Sequence, residues 1–266
     1  MKSEKEESML RIAIYGFLSV SLFVGCSSSE PQKPATPKSK AAKESPAEGY
    51  KVVESLSASG SLEGAVLYTG GTQDVAVNVD RDKATCSPAG EGPSGALKVK
   101  EGRVENVVIE ILGVKEGVGF TQKTVKIDNV GCVFVPRVAL AHVGDTFISH
   151  NSDPVFHNAK LDLIKGSKSK RIANLPVPLQ GSNSPERTLK KAGVVKVSCD
   201  AHLWMRSTVY VSDHPYTALS NEKGDFSIAQ IPPGTYSVKI WHELLGEKTE
   251  TVQIEAGKKA RLEVSL

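Results

Sequence analysis

The feature that most constrains the fold is a series of short runs rich in β-branched residues, separated by glycine, aspartate or asparagine. No segment shows a long helical period. Runs of this length and spacing predict the strands of a β-sandwich or barrel, and 23 glycines with 14 prolines fit a turn-rich β protein. We therefore predict an all-β fold class. The clearest runs are Gly64–Gly71, Asp74–Val79, Val104–Leu112, Lys123–Asp128, Val143–His150, Gly193–Ser198 and Arg206–Val211.

The composition and residue pattern of the chain change in two places. Residues 161–190 combine lysines and arginine with Pro176, Pro178 and Pro185, and we expect a long irregular connection there. From about Ser212 onward, a turn precedes Gly224-Asp-Phe-Ser-Ile228, and the sequence Pro-Pro-Gly-Thr-Tyr follows. The pattern from about Ser212 onward predicts a separate, smaller β module.

The N-terminus has the pattern of an export signal. Lys2, Lys5 and Arg11 precede the apolar run Ile12–Val24, which is shorter than the roughly 20 residues that span a bilayer. The following Gly25-Cys26 resembles a bacterial lipobox, so residues 1–25 are predicted to be a lipoprotein signal peptide and Cys26 its lipidated residue. The alternative is an ordinary secretory signal with an incidental cysteine.

The residues after the lipobox lack the apolar side chains that a core needs. Residues 26–58 are predicted to be a disordered linker rich in proline, lysine and serine. We therefore expect an exported protein, lipid-anchored to a bacterial membrane and facing the periplasm or the cell surface. The predicted folded domains are residues 59–212 and 213–266.

Charge and motifs argue against several function classes. The net charge is only +3, with Lys and Arg scattered along the chain, so nucleic-acid binding is not expected. The chain has no glycine-rich phosphate loop, no H-E-x-x-H and no G-x-S-x-G. We expect a protein that is not an enzyme.

The sequence Cys199-Asp-Ala-His202-Leu-Trp-Met205 places a thiolate, an imidazole and a thioether three residues apart. Strand-like runs precede Cys199 and follow Met205, so the three donors lie on one loop between strands. A type 1 copper site requires a second histidine, and His157 supplies a candidate. Zinc is chemically possible, but the thioether and the lack of a second nearby cysteine favour one copper ion. Cys199 could also be a structural thiol, and Met205 a core residue.

The chain has four cysteines, at positions 26, 86, 132 and 199. An oxidising compartment permits disulfides. If Cys26 carries lipid, three remain, and pairing Cys86 with Cys132 would leave Cys199 free for a metal. The sequence alone does not fix this pairing.

These motifs together resemble the cupredoxins, and the short Cys-to-Met loop is similar to that of amicyanin. The order of Cys132-Val-Phe-Val-Pro136, Gly144-Asp-Thr146 and Asn151-Ser-Asp153 resembles plastocyanin-like proteins of the methylamine-utilisation-associated type. The tail resembles the carboxypeptidase regulatory-like module. The resemblance implies a cupredoxin Greek-key β-sandwich followed by a small transthyretin-like β-sandwich.

The resemblance also implies roles for individual residues. His157, Cys199 and His202 would bind copper in a plane, with Met205 as the axial ligand. Asn158 would tie the two ligand loops together by hydrogen bonds around the metal.

Together with the lipobox, the resemblance implies a membrane-tethered blue-copper protein that transfers electrons to a redox partner such as a cytochrome or an oxidoreductase. His202 is expected near the surface, where Leu203 and Trp204 would form an apolar docking patch, unless Trp204 packs against the tail module. The competing hypotheses are a copper-handling protein without electron transfer and a β-sandwich interaction protein.

Overall fold

The computed structural model describes residues 49–71 and 75–266. The predicted signal peptide, Cys26 and residues 26–48 of the predicted linker lie outside the described residues. Within the described part of the chain, no helix is long and apolar enough to cross a membrane.

The described residues form 22 strands and one short helix, which confirms the predicted all-β fold class. The elements before the first long run of strands are β1 (Lys51–Val52), β2 (Gly60–Leu67), β3 (Ala76–Asn78), α1 (Lys83–Cys86), β4 (Glu91–Pro93), β5 (Val99–Lys100), β6 (Arg103–Val104), β7 (Val108–Leu112) and β8 (Glu116–Gly117). The next are β9 (Thr124–Val130), β10 (Val133–Val135), β11 (Val138–His142), β12 (Thr146–Asn151), β13 (His157–Lys165), β14 (Lys168–Val177), β15 (Arg187–Thr188), β16 (Gly193–Ser198) and β17 (Arg206–Ser212). The last are β18 (Thr217–Leu219), β19 (Asp225–Ile231), β20 (Gly234–His242), β21 (Gly246–Ile254) and β22 (Lys259–Ser265).

Strands β9–β17 form the first sandwich. One sheet has the order β10-β9-β12-β15 and the other β11-β17-β16-β13-β14. Alternate residues point inward: in β9, for example, Val125 and Ile127 are buried while Thr124 and Lys126 are exposed. Inward-facing residues from both sheets, among them Phe147 and Leu161, share one core. Burial of these apolar faces is what holds the two sheets together.

The second sandwich is built from both ends of the described chain. Its sheets have the orders β18-β7-β20-β21 and β19-β2-β6-β5, and β22 also pairs with β2 in parallel. Leu62 of β2 and Ile240 of β20 share its core. Gly64 allows β2 and β22 to approach closely, since a Cβ there would lie 1.8 Å from the Leu262 carbonyl oxygen.

The two sandwiches contact each other through a small apolar cluster and two polar groups. Val108, Val138 and Tyr210 are buried together where β7 faces β11 and β17. The Tyr210 hydroxyl donates to Glu110 at 2.6 Å. Arg137 of the first sandwich binds both carboxylate oxygens of Glu243, at 2.6 and 3.0 Å. Paired geometry of this kind makes strong, directional contacts.

The structure differs from the predicted domain boundary at residue 213. Strands β2 and β7 were expected to belong with the first domain, but they pair with β19, β20 and β22 in the second sandwich. Local runs of apolar residues predict strands, but they do not say which distant strand each one pairs with. The C-terminal strands therefore complete sheets that the N-terminal strands begin.

The prediction for residues 161–190 is wrong in its first half. Strands β13 and β14 form a long antiparallel hairpin there, with Lys165 opposite Lys168 at its tip. Its outer strand is mostly exposed, which is why its lysines do not disrupt the fold. Pro176 lies near the end of this edge strand, where a missing N–H is tolerated.

Candidate metal centre

The predicted ligands lie at one end of the first sandwich. His157 is the first residue of β13, and Cys199 directly follows β16. These two strands are antiparallel neighbours, with Lys160 opposite Ser198, so the start of one lies beside the end of the other. The chain then turns through His202, and the Met205 N–H donates to the His202 carbonyl oxygen at 3.0 Å before β17 begins. Strand pairing thus brings two distant parts of the sequence together.

The structure brings His157, Cys199 and His202 together into one cluster. One donor atom from each residue lies within 4.8 Å of the other two. The two Nδ1 atoms are 3.0 Å apart, and the His202 Nδ1 lies 3.8 Å from the Cys199 sulfur. All three side chains are buried. Two imidazole nitrogens and one sulfur in a water-excluded cluster fit the donor set of a copper site.

Asn158 connects the two halves of the cluster. Its Oδ1 accepts the Asp200 N–H at 2.8 Å and lies 3.3 Å from the Cys199 sulfur. Its Nδ2 donates to Asn174 at 2.6 Å. Because Asn158 follows His157 directly, these bonds fix the cysteine loop relative to the histidine strand, which is the arrangement expected for this residue.

A buried carboxylate fixes the orientation of His157. The His157 Nε2 lies 3.0 Å from Oδ2 of Asp153, which also accepts the Cys132 N–H at 2.8 Å. The other oxygen, Oδ1, accepts the Gly131 N–H at 2.6 Å. Since an ionised carboxylate only accepts hydrogen bonds, Nε2 carries the proton and Nδ1 keeps a free lone pair that faces His202.

His202 has the same arrangement, with a carboxylate from a different part of the chain. Its Nε2 lies 2.8 Å from Oδ2 of Asp82. The same reasoning places the proton on Nε2 and a lone pair on Nδ1. Two lone pairs aimed at each other across 3.0 Å repel unless a proton or a metal ion lies between them. The pair of imidazoles is therefore arranged as a cation site.

The thiol of Cys199 is primed to ionise. Burial alone would raise its pKa, but contacts with the imidazoles of His157 and His202, together with backbone hydrogen bonds, lower the pKa to about 6. The thiolate is the form that binds metals. For His202, burial tends to lower the pKa, but the contacts with Cys199 and Asp82 raise it above the ordinary value. The cluster thus stabilises a negative sulfur beside the His202 ring.

The other residues of the loop occupy different environments. Met205 is buried in the core of the first sandwich, in the same cluster as Cys199. Trp204 packs against this core, and its indole N–H donates to the Cys132 carbonyl oxygen at 3.0 Å. Leu203 is 64% exposed.

The expected position of His202 near the surface is wrong, because the side chain is completely buried. Asp82 and Cys86, which belong to residues 75–96, here called the covering segment, lie against the His202 ring. An apolar docking patch built on an exposed His202 is therefore not present.

Cys86 and Cys132 form a disulfide, with Cα atoms 5.1 Å apart, and Cys199 is the free cysteine among the described residues. The disulfide lies beside the metal cluster, since a sulfur from each cysteine is within 4.8 Å of a His202 nitrogen. It links the covering segment to the turn between β9 and β10.

Sequence reasoning missed both carboxylates that bind the imidazoles. Asp153 lies four residues before His157, so its position in the same loop was a usable signal. Asp82 lies far from His202 in the sequence, and its one indication is that it precedes Cys86, a predicted disulfide partner of Cys132, by four residues.

Comparison with known families finds one match. The carboxypeptidase regulatory-like domain matches residues 193–266. This match extends beyond the predicted module at 213–266, into strands β16 and β17 of the first sandwich. A sequence search of curated proteins finds no match.

Solved structures similar to this chain include copper proteins. A purple cupredoxin from Nitrosopumilus maritimus is 25% identical, with 33% of this chain and 98% of that chain covered and a TM-score of 0.28. A copper-containing nitrite reductase from Thermus scotoductus is 22% identical over 38% of this chain and 25% of that chain, with a TM-score of 0.28. A reduced Cu(I) amicyanin variant is 23% identical over 34% of this chain and 82% of that chain, also with a TM-score of 0.28.

Proposed function

We propose that this protein binds one copper ion and carries single electrons. The observation that supports the proposal is the convergence of the His157 Nδ1, the His202 Nδ1 and the Cys199 sulfur in a buried cluster. Met205, buried in the same core as Cys199, would be the fourth ligand. Copper, when bound, would supply one-electron redox chemistry.

The surrounding residues suit this role. The low pKa of Cys199 keeps its sulfur ionised at neutral pH. Asp153 and Asp82 hold both imidazoles with Nδ1 directed inward. Asn158 holds the cysteine loop against β13. Since four protein side chains would fill the coordination positions, no place is left for a substrate, which favours electron transfer over catalysis.

The predicted export signal and lipobox support a location of this function at a membrane surface. In this proposal Cys26 carries the lipid, residues 26–58 act as a tether, and the folded part meets a redox protein in the periplasm or at the cell surface. A cytochrome or an oxidoreductase is the kind of partner that a one-electron carrier requires.

One observation favours a second candidate, copper binding without electron transfer. His202 is completely buried and its outer nitrogen is bonded to Asp82, so no imidazole edge is open to a redox partner. In that case the site would sequester or deliver copper.

Copper loading separates the two candidates. We expect the metal-free full chain to bind one equivalent of Cu(II) and to develop an intense thiolate-to-copper absorption band with a matching spin-resonance signal. The band should disappear on reduction and return on oxidation, and Cys199→Ser should lack it. Tight Cu(I) binding by a protein that never shows the band would support copper handling. Failure to bind copper in either state would refute both.

A further inference from the structure

A segment between two strands of the second sandwich contributes a residue to the proposed metal centre of the first. Asp82 belongs to the covering segment, which connects β2 to β5, and both of these strands belong to the second sandwich. Its carboxylate lies 2.8 Å from the His202 Nε2. Although the Asp82 side chain is 47% exposed, the His202 side chain that it contacts is fully buried. Asp82 therefore lies between the site and solvent.

We propose that Asp82 is a positioning residue of the metal centre and that the Cys86–Cys132 disulfide holds it against His202. The inference rests on the proposed copper site and assigns to the disulfide a part in setting that site. From each cysteine of the disulfide, a short path leads to a carboxylate. Each of the two carboxylates contacts a different imidazole.

On the first side, one turn of chain joins Asp82 to Cys86. The Asp82 carbonyl oxygen accepts the N–H groups of Thr85 and Cys86, both at 2.9 Å. Asp82 itself has a left-handed backbone, with φ of 43°, a conformation that aspartate tolerates better than most residues but that still costs free energy. A backbone of this kind persists where its surroundings fix it. Here the disulfide, four residues on, supplies that restraint.

On the second side, the peptide of Cys132 holds the other carboxylate. The Cys132 N–H donates to Asp153 at 2.8 Å, and the same Asp153 oxygen binds the His157 Nε2. Cys132 also has a left-handed backbone, with φ of 57°. The disulfide is thus the covalent link between two carboxylate–histidine pairs, and both pairs turn Nδ1 toward the same point.

This arrangement has a consequence for the metal. A carboxylate that accepts the outer N–H of a ligating histidine fixes the ring and makes its other nitrogen a stronger donor. Its negative charge also favours the more highly charged of two metal oxidation states. Asp82 should therefore strengthen Cu(II) binding more than Cu(I) binding, and cutting the disulfide should weaken the same preference.

The test compares substitutions on the covering segment in the full chain. Asp82→Gly removes the carboxylate and accepts the left-handed backbone without strain. Asp82→Asn removes the charge but keeps an oxygen that can accept the N–H. Asp80→Asn is the matched control, because Asp80 is an exposed carboxylate two residues earlier. Cys86→Ser with Cys132→Ser removes the link, and a triple variant combines it with Asp82→Gly.

Cu(II) and Cu(I) affinities are measured by competition with chelators of known strength. We expect Asp82→Gly to lower the Cu(II) affinity about 10-fold more than the Cu(I) affinity, with Asp82→Asn between it and wild type and Asp80→Asn unchanged. The double cysteine variant should change the ratio in the same direction, and the triple variant should add little. If Asp82→Gly behaves like Asp80→Asn, or if the cysteine variant leaves the ratio unchanged, the inference is refuted.

Nitrogen NMR of the metal-free protein separates this inference from the proposed function. The His202 ring should carry its proton on Nε2 in wild type, and that preference should weaken in Asp82→Gly. A wild-type chain that shows this tautomer but binds no copper would refute the proposed function while leaving the positioning role of Asp82 supported. A chain that binds copper with a His202 tautomer indifferent to Asp82 would refute the inference alone.

Discussion

Asp153→Asn should destabilise the metal-free protein and weaken its copper binding. The Asp153 side chain is 7% exposed, and its two oxygens accept three N–H bonds, from Gly131, Cys132 and His157. An asparagine of the same shape keeps one oxygen, and its amide group brings a donor toward N–H groups that need an acceptor. Whichever way the amide is turned, at least one buried N–H loses its partner.

The magnitude follows from the number of bonds lost. A hydrogen bond to a charged group contributes about 1.5–3 kcal/mol, so the loss of one or two lowers the free energy of unfolding by about 1.5–6 kcal/mol. For a chain of this size, each kcal/mol corresponds to about 2–4 °C in Tm. Because His157 also loses the group that orients its ring, we expect Cu(II) affinity to fall by about 10- to 100-fold.

Urea unfolding of the metal-free chain, followed by tryptophan fluorescence and circular dichroism, measures the first effect. Asp225→Asn is the control, since Asp225 forms an exposed ion pair with Arg103 and such pairs contribute about 0–1 kcal/mol. Copper affinity is then measured at a temperature where both variants are folded. If Asp153→Asn unfolds like Asp225→Asn and binds copper like wild type, Asp153 has no role in holding His157.

Two further predictions concern the second sandwich. Burial lowers the pKa of His242, and its Nδ1 accepts the N–H groups of Leu244 and Leu245, both at 3.3 Å. Below about pH 6.5, the unfolded chain therefore binds a proton on this residue that the folded chain excludes. The free energy of unfolding should fall as the pH drops through this value, and His242→Asn, which keeps an acceptor, should show a smaller fall in urea midpoints between pH 7.5 and 5.5; an equal fall would contradict this. A fragment of residues 213–266 should be unfolded by circular dichroism and NMR, because it lacks β2 and β7; well-dispersed amide signals from the fragment would show that the tail folds alone.

The sequence predicts strands well here and strand partners poorly. Alternation in Thr124–Val130 and the apolar run Val108–Leu112 both identify strands, since inward residues must be apolar wherever a sheet covers a core. Nothing local in Val108–Leu112 indicates that it pairs with β18 and β20 near the other end of the chain. That pairing depends on how two sheets fill one core, which is a property of the whole fold.

The residues of the proposed metal cluster also fall into those that the sequence predicts and those that it does not. His157, Cys199 and His202 could be predicted because copper requires those donor types, and because a loop between two paired strands limits where they lie. Asp82 could not be predicted, since an exposed aspartate in a polar segment looks like any surface residue. Only the folded chain shows that the turn carrying it is held over His202.

The covering segment is tied to the second sandwich and to the proposed ligand loop through Arg137. Arg137 binds Glu243 of the second sandwich, the Ser94 carbonyl of the covering segment and the Arg206 carbonyl next to Met205. One guanidinium group therefore ties together the second sandwich, the segment that carries Asp82 and the end of the ligand loop. The Arg137–Glu243 pair is largely shielded from water, since both side chains are 15% exposed, so salt screens this pair only weakly. Such an anchor helps to keep Asp82 against His202. Without it, the half-exposed segment could move away, and the Asp82 carboxylate would bind water in place of His202. Through Glu243, the tail module thus contacts the same guanidinium group that binds the covering segment and the end of the proposed ligand loop.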